Sequence, residues 1–376
     1  MPWKEASVIF LRKEFVELAM NGSSISSLCK NFGISRQAGY KWIQRYKKIG
    51  EAGLADQSRR PQSSPRQVCQ EMEDAILKIR SQHSTWGGRK IKRRLENLGY
   101  KNVPAASTIT SILQRNGLID QLQSQKHSAF ERFQRQHPNE LWQMDFKGHV
   151  PCPEGRCHPL TVLDDCSRYA LAIQACLDER TQTVQDCLQE TFRQYGLPNQ
   201  MIMDNGAPWG NDQFNPYTRL TVWLIRLGIL ISHSRPAHPQ TLGKDERFHR
   251  TFKAELLGDS LPWDNAEAQK RFDQWRFIYN HQRPHEALAM EVPASYYRIS
   301  KRSFPDHITP IEYGPTDLVR KVQKKGIIHF HGREFRIPQA LIGQPIALRP
   351  RAQCDGVFDI YYVRQLITVI DLNNHD

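Results

Sequence analysis

The chain has 376 residues, with 52 Lys and Arg against 39 Asp and Glu, a formal net charge of +13. That length exceeds one ordinary domain, and a hydrophobic content of 39% excludes disorder throughout. No apolar run nears the ~18 residues of a membrane span, and Met1 to Glu5 carries no secretory pattern. The eight cysteines are scattered, as in a reducing compartment. The expectation is a cytoplasmic multidomain protein with no membrane partner, whose charge suits nucleic acid. Cys152 and Cys157 lie near His149 and His158, but zinc sites usually show two tight ligand pairs, so a surface loop with free thiols is the simpler reading.

Residues 1–56 read as three helices. Glu14 to Met20 is the first, Ser24 caps the second, Gly33 closes it, and Ser35 caps a third that runs through Arg45 with Ala38, Trp42, Ile43 and Tyr46 inside. Helix, glycine turn and helix make a helix-turn-helix, whose outer stripe of Arg36, Gln37, Tyr40, Lys41, Gln44, Lys47 and Lys48 suits base edges and phosphates. A solvated face of a small bundle is the plainer alternative.

A basic Pro/Ser linker follows at 57–69, then a second three-helix pattern at 70–120. Met72, Ala75, Ile76 and Ile79 line its first helix and Ile91, Leu95 and Leu98 its second, with Trp86, Gly87 and Gly88 between. Pro104 and the cap Ser107 open a third with Ile109, Ile112 and Leu113 inside, and Thr108, Thr110, Ser111, Gln114 and Arg115 outside. Residues 121–138 are a polar second linker.

Strands are expected at Leu141–Phe146, Leu160–Asp165 and Tyr169–Ile173 as an antiparallel meander. A helix from Gln182 to Tyr195 and a short strand ending at Asp204-Asn205-Gly206 make the region an α/β sheet over residues 139–305. A further helix runs from Gly243 to about Leu257. Asp145, Asp204 and Glu246 could converge on divalent metals, which take oxygen ligands and stabilise both oxygens of a phosphodiester displacement. Lys244, Arg247, Arg250 and Lys253 recur at spacings of three and four and would flank that site with cations for backbone phosphates. Asp164 and Asp165 could bind metal instead, though such a pair more often ends a strand and caps a turn. Arg283, Pro284 and His285 read as packing for a helix end, and Trp275, Phe277, Tyr279, Tyr296 and Tyr297 as core.

Trp142-Gln143-Met144-Asp145-Phe146, Asp204-Asn205-Gly206, the string Gly243 to Thr251 and Tyr279 to His285 resemble the integrase-core transposases of bacterial insertion sequences. The resemblance implies an RNase H-like catalytic core and a DDE enzyme that cleaves element ends and joins them to target DNA. It implies Asp145, Asp204 and Glu246 as catalytic metal ligands, Mg²⁺ or Mn²⁺ as cofactor in two ions, and double-stranded DNA bound by a homo-oligomer. The match selects Glu246 over Asp245 and leaves Asp245 solvated, since consecutive helical residues point about 100° apart. His249 is then a surface or phosphate-contacting residue. Asp204 and Glu246 stand further apart than in the retroviral branch, so Trp209 to Thr218 is taken as an inserted loop, and Leu242 stands where many relatives are polar. The alternative reading is a DNA-binding regulator on an inactive core.

Residues 315–372 change to short alternating strands with hairpin turns at His331-Gly332 and Asp355-Gly356, and a small basic β-barrel is expected.

Overall fold

The computed structural model describes residues 7–56, 68–119, 134–153, 155–210, 216–233, 243–257 and 263–373. Both expected linkers fall largely outside these residues. Contacts divide the chain into two compact units, residues 1–67 and 68–376. Among the described residues no helix is long and apolar enough to cross a membrane.

The first unit holds α1 (Val8–Met20), α2 (Ile25–Asn31) and α3 (Arg36–Ile49) around Phe15, Val16, Leu28, Cys29, Trp42, Ile43 and Leu54. Ser35 caps α3 by accepting from the Ala38 amide, as its sequence position implies. Gly39 lets α3 lie close to its partners, because a Cβ there would meet Cys29 Sγ at 2.7 Å and Phe15 Cζ at 2.8 Å. The first helix starts at Val8, well before Glu14, under its own Ser7 cap, with Val8 to Leu11 exposed on its first turn. An exposed turn has no inside-outside periodicity by which a sequence marks a helix.

The second unit opens with α4 (Gln70–Gln82), α5 (Gly88–Asn97) and α6 (Ala106–Arg115). They enclose Met72, Ile76, Ile79, Trp86, Ile91, Leu95, Ile109, Ile112 and Leu113. Gly88 begins α5 against α6, where a Cβ would stand 2.4 Å from the Ala106 carbonyl oxygen. Ala105 holds the cap position expected of Ser107, and Leu98 is exposed.

The central sheet contains β1 (Leu141–Phe146), β2 (Val150–Cys152), β3 (Gly155–Asp164), β4 (Ala170–Cys176), β5 (Gln200–Met203) and β6 (Leu230–His233). β3, β1, β5 and β6 lie in that order, β4 pairs with β3, and β2 forms a hairpin with the start of β3. The β1, β3 and β4 pairings are antiparallel, whereas β5 runs parallel to both β1 and β6. Side chains alternate across β1. Trp142 and Met144 therefore pack with α7 (Thr181–Tyr195) and α8 (Arg219–Arg226), while Gln143 and Asp145 share the other face. That face is covered by α9 (Gly243–Glu255) and α10 (Asn265–His281), through Phe248, Phe252, Phe272, Trp275 and Tyr279. Trp275, Tyr279 and Tyr297 are core as expected, but Phe277 and Tyr296 are exposed. After α10 comes the short α11 (Pro293–Tyr296).

The C-terminal strands are β7 (Leu318–Lys321), β8 (Ile327–Phe330), β9 (Arg333–Arg336), β10 (Pro345–Pro350), β11 (Val357–Tyr362) and β12 (Gln365–Asp371). Among the described residues they form two open ladders rather than the expected closed barrel: a four-stranded sheet β12-β11-β10-β7 and the hairpin β8-β9. Side chains join the two ladders. Ile328 and Phe330 of the hairpin share a core with Ile346, Leu348, Ile360 and Tyr362, and Phe330 stands edge-on to Phe358. This core is continuous with that of the central sheet, so its burial does not depend on barrel closure.

Candidate active site

β1 and β5 are parallel and in register from Leu141 opposite Gln200 to Gln143 opposite Ile202. Two residues further on from that last pair stand Asp145 and Asp204, so the ladder brings both acids to the carboxyl ends of adjacent strands, where open α/β sheets bind ligands. Asp145 retains 31% side-chain exposure. Burial, then repulsion from Asp204, pushes its pKa up to about 7. An acid whose proton affinity is raised by a second carboxylate at the same sheet end stands where a divalent cation would be favoured.

Asp204 is held from its own loop. Its Oδ1 accepts the Gly206 amide at 2.9 Å and the Trp209 indole N–H at 2.5 Å, while His233 Nδ1 contacts its backbone carbonyl at 2.7 Å. Trp209 is buried and stacks on Phe146, next to Asp145. Trp209 is part of the core, and residues 211–215 of the expected insertion lie outside the described residues.

α9 lies beside this end of the sheet, with His249 close to Asp145. Asp245, Phe248, His249 and Phe252 face inward, and Glu246, Arg247, Arg250 and Lys253 are exposed. Asp245 is therefore not solvated but 1% exposed, with Oδ1 3.4 Å from Thr161 Oγ1 and Oδ2 without a hydrogen bond. Burial raises its pKa well above the carboxylate range. His249 is likewise buried instead of superficial, with Nε2 2.7 Å from Thr161 Oγ1 and Nδ1 3.8 Å from Asp145 Oδ2. Burial pushes that imidazole down to about 3, so it is neutral at physiological pH. Asp145, Asp245 and His249 each offer a ligand atom, all within 4.8 Å of one another, the one such group found among the described residues. The resemblance pairs Glu246 with Asp145 and Asp204, whereas the structure sets Asp245 beside Asp145 and Glu246 one residue on, at the surface.

Lys244, expected on DNA, is turned inward to a buried ion pair with Asp165. The same Asp165 accepts from Gln143 Nε2 at 2.8 Å and the Arg135 amide at 2.8 Å, and Gln143 Oε1 accepts the Asp245 amide at 3.2 Å. Asp164 takes the turn-capping role expected of it, accepting from the Ser167 amide and hydroxyl and the Asn139 amide. These acids fasten α9 and the β3–β4 turn. Gln143 escaped the sequence reading, although a polar residue two before Asp145 on one strand shares its face. Arg283 and His285 pack the end of α10 as expected, with Arg283 bonded to Glu255 at 3.0 Å. No metal-ligating group forms around Cys152 and Cys157 among the described residues.

In the first unit Arg36, Gln37, Tyr40, Lys41 and Gln44 all lie exposed along α3, and Arg36 also bonds Ser26 at 2.9 Å. Arg115 is exposed on α6 but paired with Glu73 of α4 at 3.3 Å.

A mixed sheet with acids at the ends of adjacent parallel strands, behind paired helical DNA-binding motifs, defines an integrase-type catalytic core. Integrase core domain models match residues 135–239 and 227–293, a helix-turn-helix domain 11–62, a homeodomain-like domain 38–113, and the C-terminal domain of IS481 family transposases 317–376. The chain thus carries an integrase core domain and is similar to the transposases of insertion sequences. It is 27% identical over 159 residues to the uncharacterized 31.7 kDa protein of insertion element IS407 from Burkholderia multivorans, covering 42% of this chain and 55% of that one. It is 24% identical over 380 residues to the transposase for transposon Tn552 from Staphylococcus aureus, covering 87% and 75%. The HTLV-2 integrase catalytic core domain, solved in complex with magnesium, covers 43% of this chain and 97% of its own, at 14% identity and a TM-score of 0.32.

Proposed function

We propose that the protein binds the ends of a mobile DNA element and catalyses metal-dependent cleavage and strand transfer. The observation that carries this reading is the convergence of Asp145 and Asp204 at one sheet edge, with α9 beside them. The donor set is carboxylate oxygen, which suits Mg²⁺ or Mn²⁺. Asp145, Asp204 and Glu246 would hold two such ions, which supply Lewis-acid stabilisation of the attacking and leaving oxygens. Glu246 is favoured as the third acid because a site that admits DNA needs open ligands, and Glu246 is exposed where Asp245 is sealed. The chain's own residues orient these acids: Trp209 and Gly206 grip Asp204, while Thr161 accompanies Asp145 across the β1–β3 ladder. Arg247, Arg250 and Lys253 project from the exposed side of α9 toward solvent, where a phosphate backbone would meet them.

The α3 stripe of Arg36, Gln37, Tyr40, Lys41 and Gln44 would take the major groove, with α6 and Arg115 as the second contact. Two ends joined in one reaction call for a homo-oligomer on double-stranded DNA. The domains are then helix-turn-helix units at 1–56 and 70–120, the catalytic core at 139–305 and a small β-rich C-terminal domain at 315–372.

A second reading places the ion on Asp145, Asp245 and His249, favoured by their mutual proximity. Cleavage and joining of labelled DNA carrying the element's flanking ends tests the proposal. The wild type should act only with Mg²⁺ or Mn²⁺, and Asp145→Asn and Asp204→Asn should be inactive yet bind DNA. Metal-independent or absent cleavage by the wild type would contradict it and favour a binding protein on an inert core.

A further inference from the structure

We infer that Trp209 is a positioning residue that presents Asp204 to the metal and ties it to Asp145; the inference rests on the proposed metal-dependent function. The Trp209 indole N–H and the Gly206 amide both donate to Asp204 Oδ1, at 2.5 and 2.9 Å. Both bonds go to Oδ1, so Oδ2 is the oxygen that would be left for a cation. The ring itself is 1% exposed and stacks on Phe146 with centroids 5.3 Å apart and planes 23° apart. Phe146 follows Asp145 directly in β1, so one indole bonds the acid at the end of β5 and packs on the residue beside the acid of β1. The Trp209 amide also donates to the Gly206 carbonyl, which closes the loop between Asp204 and the ring. A hydrogen bond to a ligating carboxylate fixes which oxygen coordinates, and losing such a partner typically costs 10–100-fold in metal affinity.

Trp209→Phe keeps an aromatic ring against Phe146 and removes the N–H. The test is Mn²⁺ binding by the DNA-free full-length protein, titrated by calorimetry or by the spin resonance of free Mn²⁺, with thermal unfolding measured alongside. Trp209→Phe should bind Mn²⁺ about 10–100-fold more weakly than wild type, and Asp204→Asn more weakly still. Wild-type affinity in a folded Trp209→Phe protein overturns the inference while leaving the metal site standing. A wild type that binds no Mn²⁺ overturns the metal site and the inference with it.

Should Trp209→Phe not fold, the indole ¹⁵N–H spectrum of wild type and Asp204→Asn decides the question. One indole resonance should move in Asp204→Asn and broaden when Mn²⁺ is added to wild type. If every indole resonance is unchanged in Asp204→Asn, the hydrogen bond does not exist and the inference falls.

Discussion

His285 shows how burial, helped by neighbouring cations, sets a charge state in this chain. The ring is 8% exposed, stands edge-on to Tyr279 at 4.7 Å, and leaves Nε2 without a hydrogen bond. Burial, with Arg283 and Lys90 nearby, drives its pKa well below 6.5, so the folded ring is neutral where an unfolded chain would protonate it. The unfolded state then binds the extra proton. This group's contribution to stability is complete above pH 6.5 and is lost as pH falls below that value, by at most about 1.4 kcal/mol per pH unit. Between pH 7 and 5 the denaturation midpoint of wild type should therefore fall more steeply than that of His285→Gln. Parallel slopes would mean that the imidazole titrates normally. His285 was legible as packing because it follows an Arg-Pro at a helix end; its buried nitrogen was not, since that depends on Tyr279 and on the second helical unit.

At the scale of elements, the fastening of α9 matters most. Lys244, with 15% of its side chain exposed, pairs with Asp165, at 1%, and burial lowers the lysine's pKa to about 8. Periodicity alone put Lys244 on a cationic face, and a spacing of three or four cannot tell which member of a stripe meets an acid from another strand. The two placements differ in a measurable way. Lys244→Gln leaves the Asp165 carboxylate buried without its cation, a loss of about 3–5 kcal/mol when a buried pair is broken. Stability should fall by that order while the salt dependence of DNA binding stays at the wild-type slope. A slope reduced by about one, with stability unchanged, would place Lys244 on a phosphate instead. β1 and α7 were legible because their apolar residues repeat at two and at three and four, β5 as a short apolar run, and α9 from cations at spacings of three and four. α8, β6 and β7 were not read. Arg219–Arg226 is short and buried on most sides, and every residue of Leu318–Lys321 is exposed, so neither repeats an inside and an outside.

Across the second unit as a whole, much of the charge is spent within the molecule. α5 carries Arg89, Lys90, Lys92, Arg93 and Arg94, yet Arg93 pairs with Glu291, and Arg94 bonds Gln282 at 2.8 Å. Thr85, in the turn before α5, bonds Glu255 at 2.8 Å, and Glu255 also accepts from Trp275 and Arg283. Glu255 ends α9, so the helix that carries Glu246 is held at its start by Asp165 and at its end by contacts that include the second helical unit. Order of motifs and resemblance made the transposase class legible from sequence. The local choice between Asp245 and Glu246 was not, because it turns on the rotation of one helix against Thr161 and Asp145. The direct test is Mg²⁺-dependent cleavage and joining of end DNA by wild type, Glu246→Gln and Asp245→Asn, each first shown to fold and bind DNA. With Glu246 as the third ligand, Glu246→Gln should be inactive and Asp245→Asn should retain activity. The reverse result would contradict that assignment and put the ion on Asp145, Asp245 and His249.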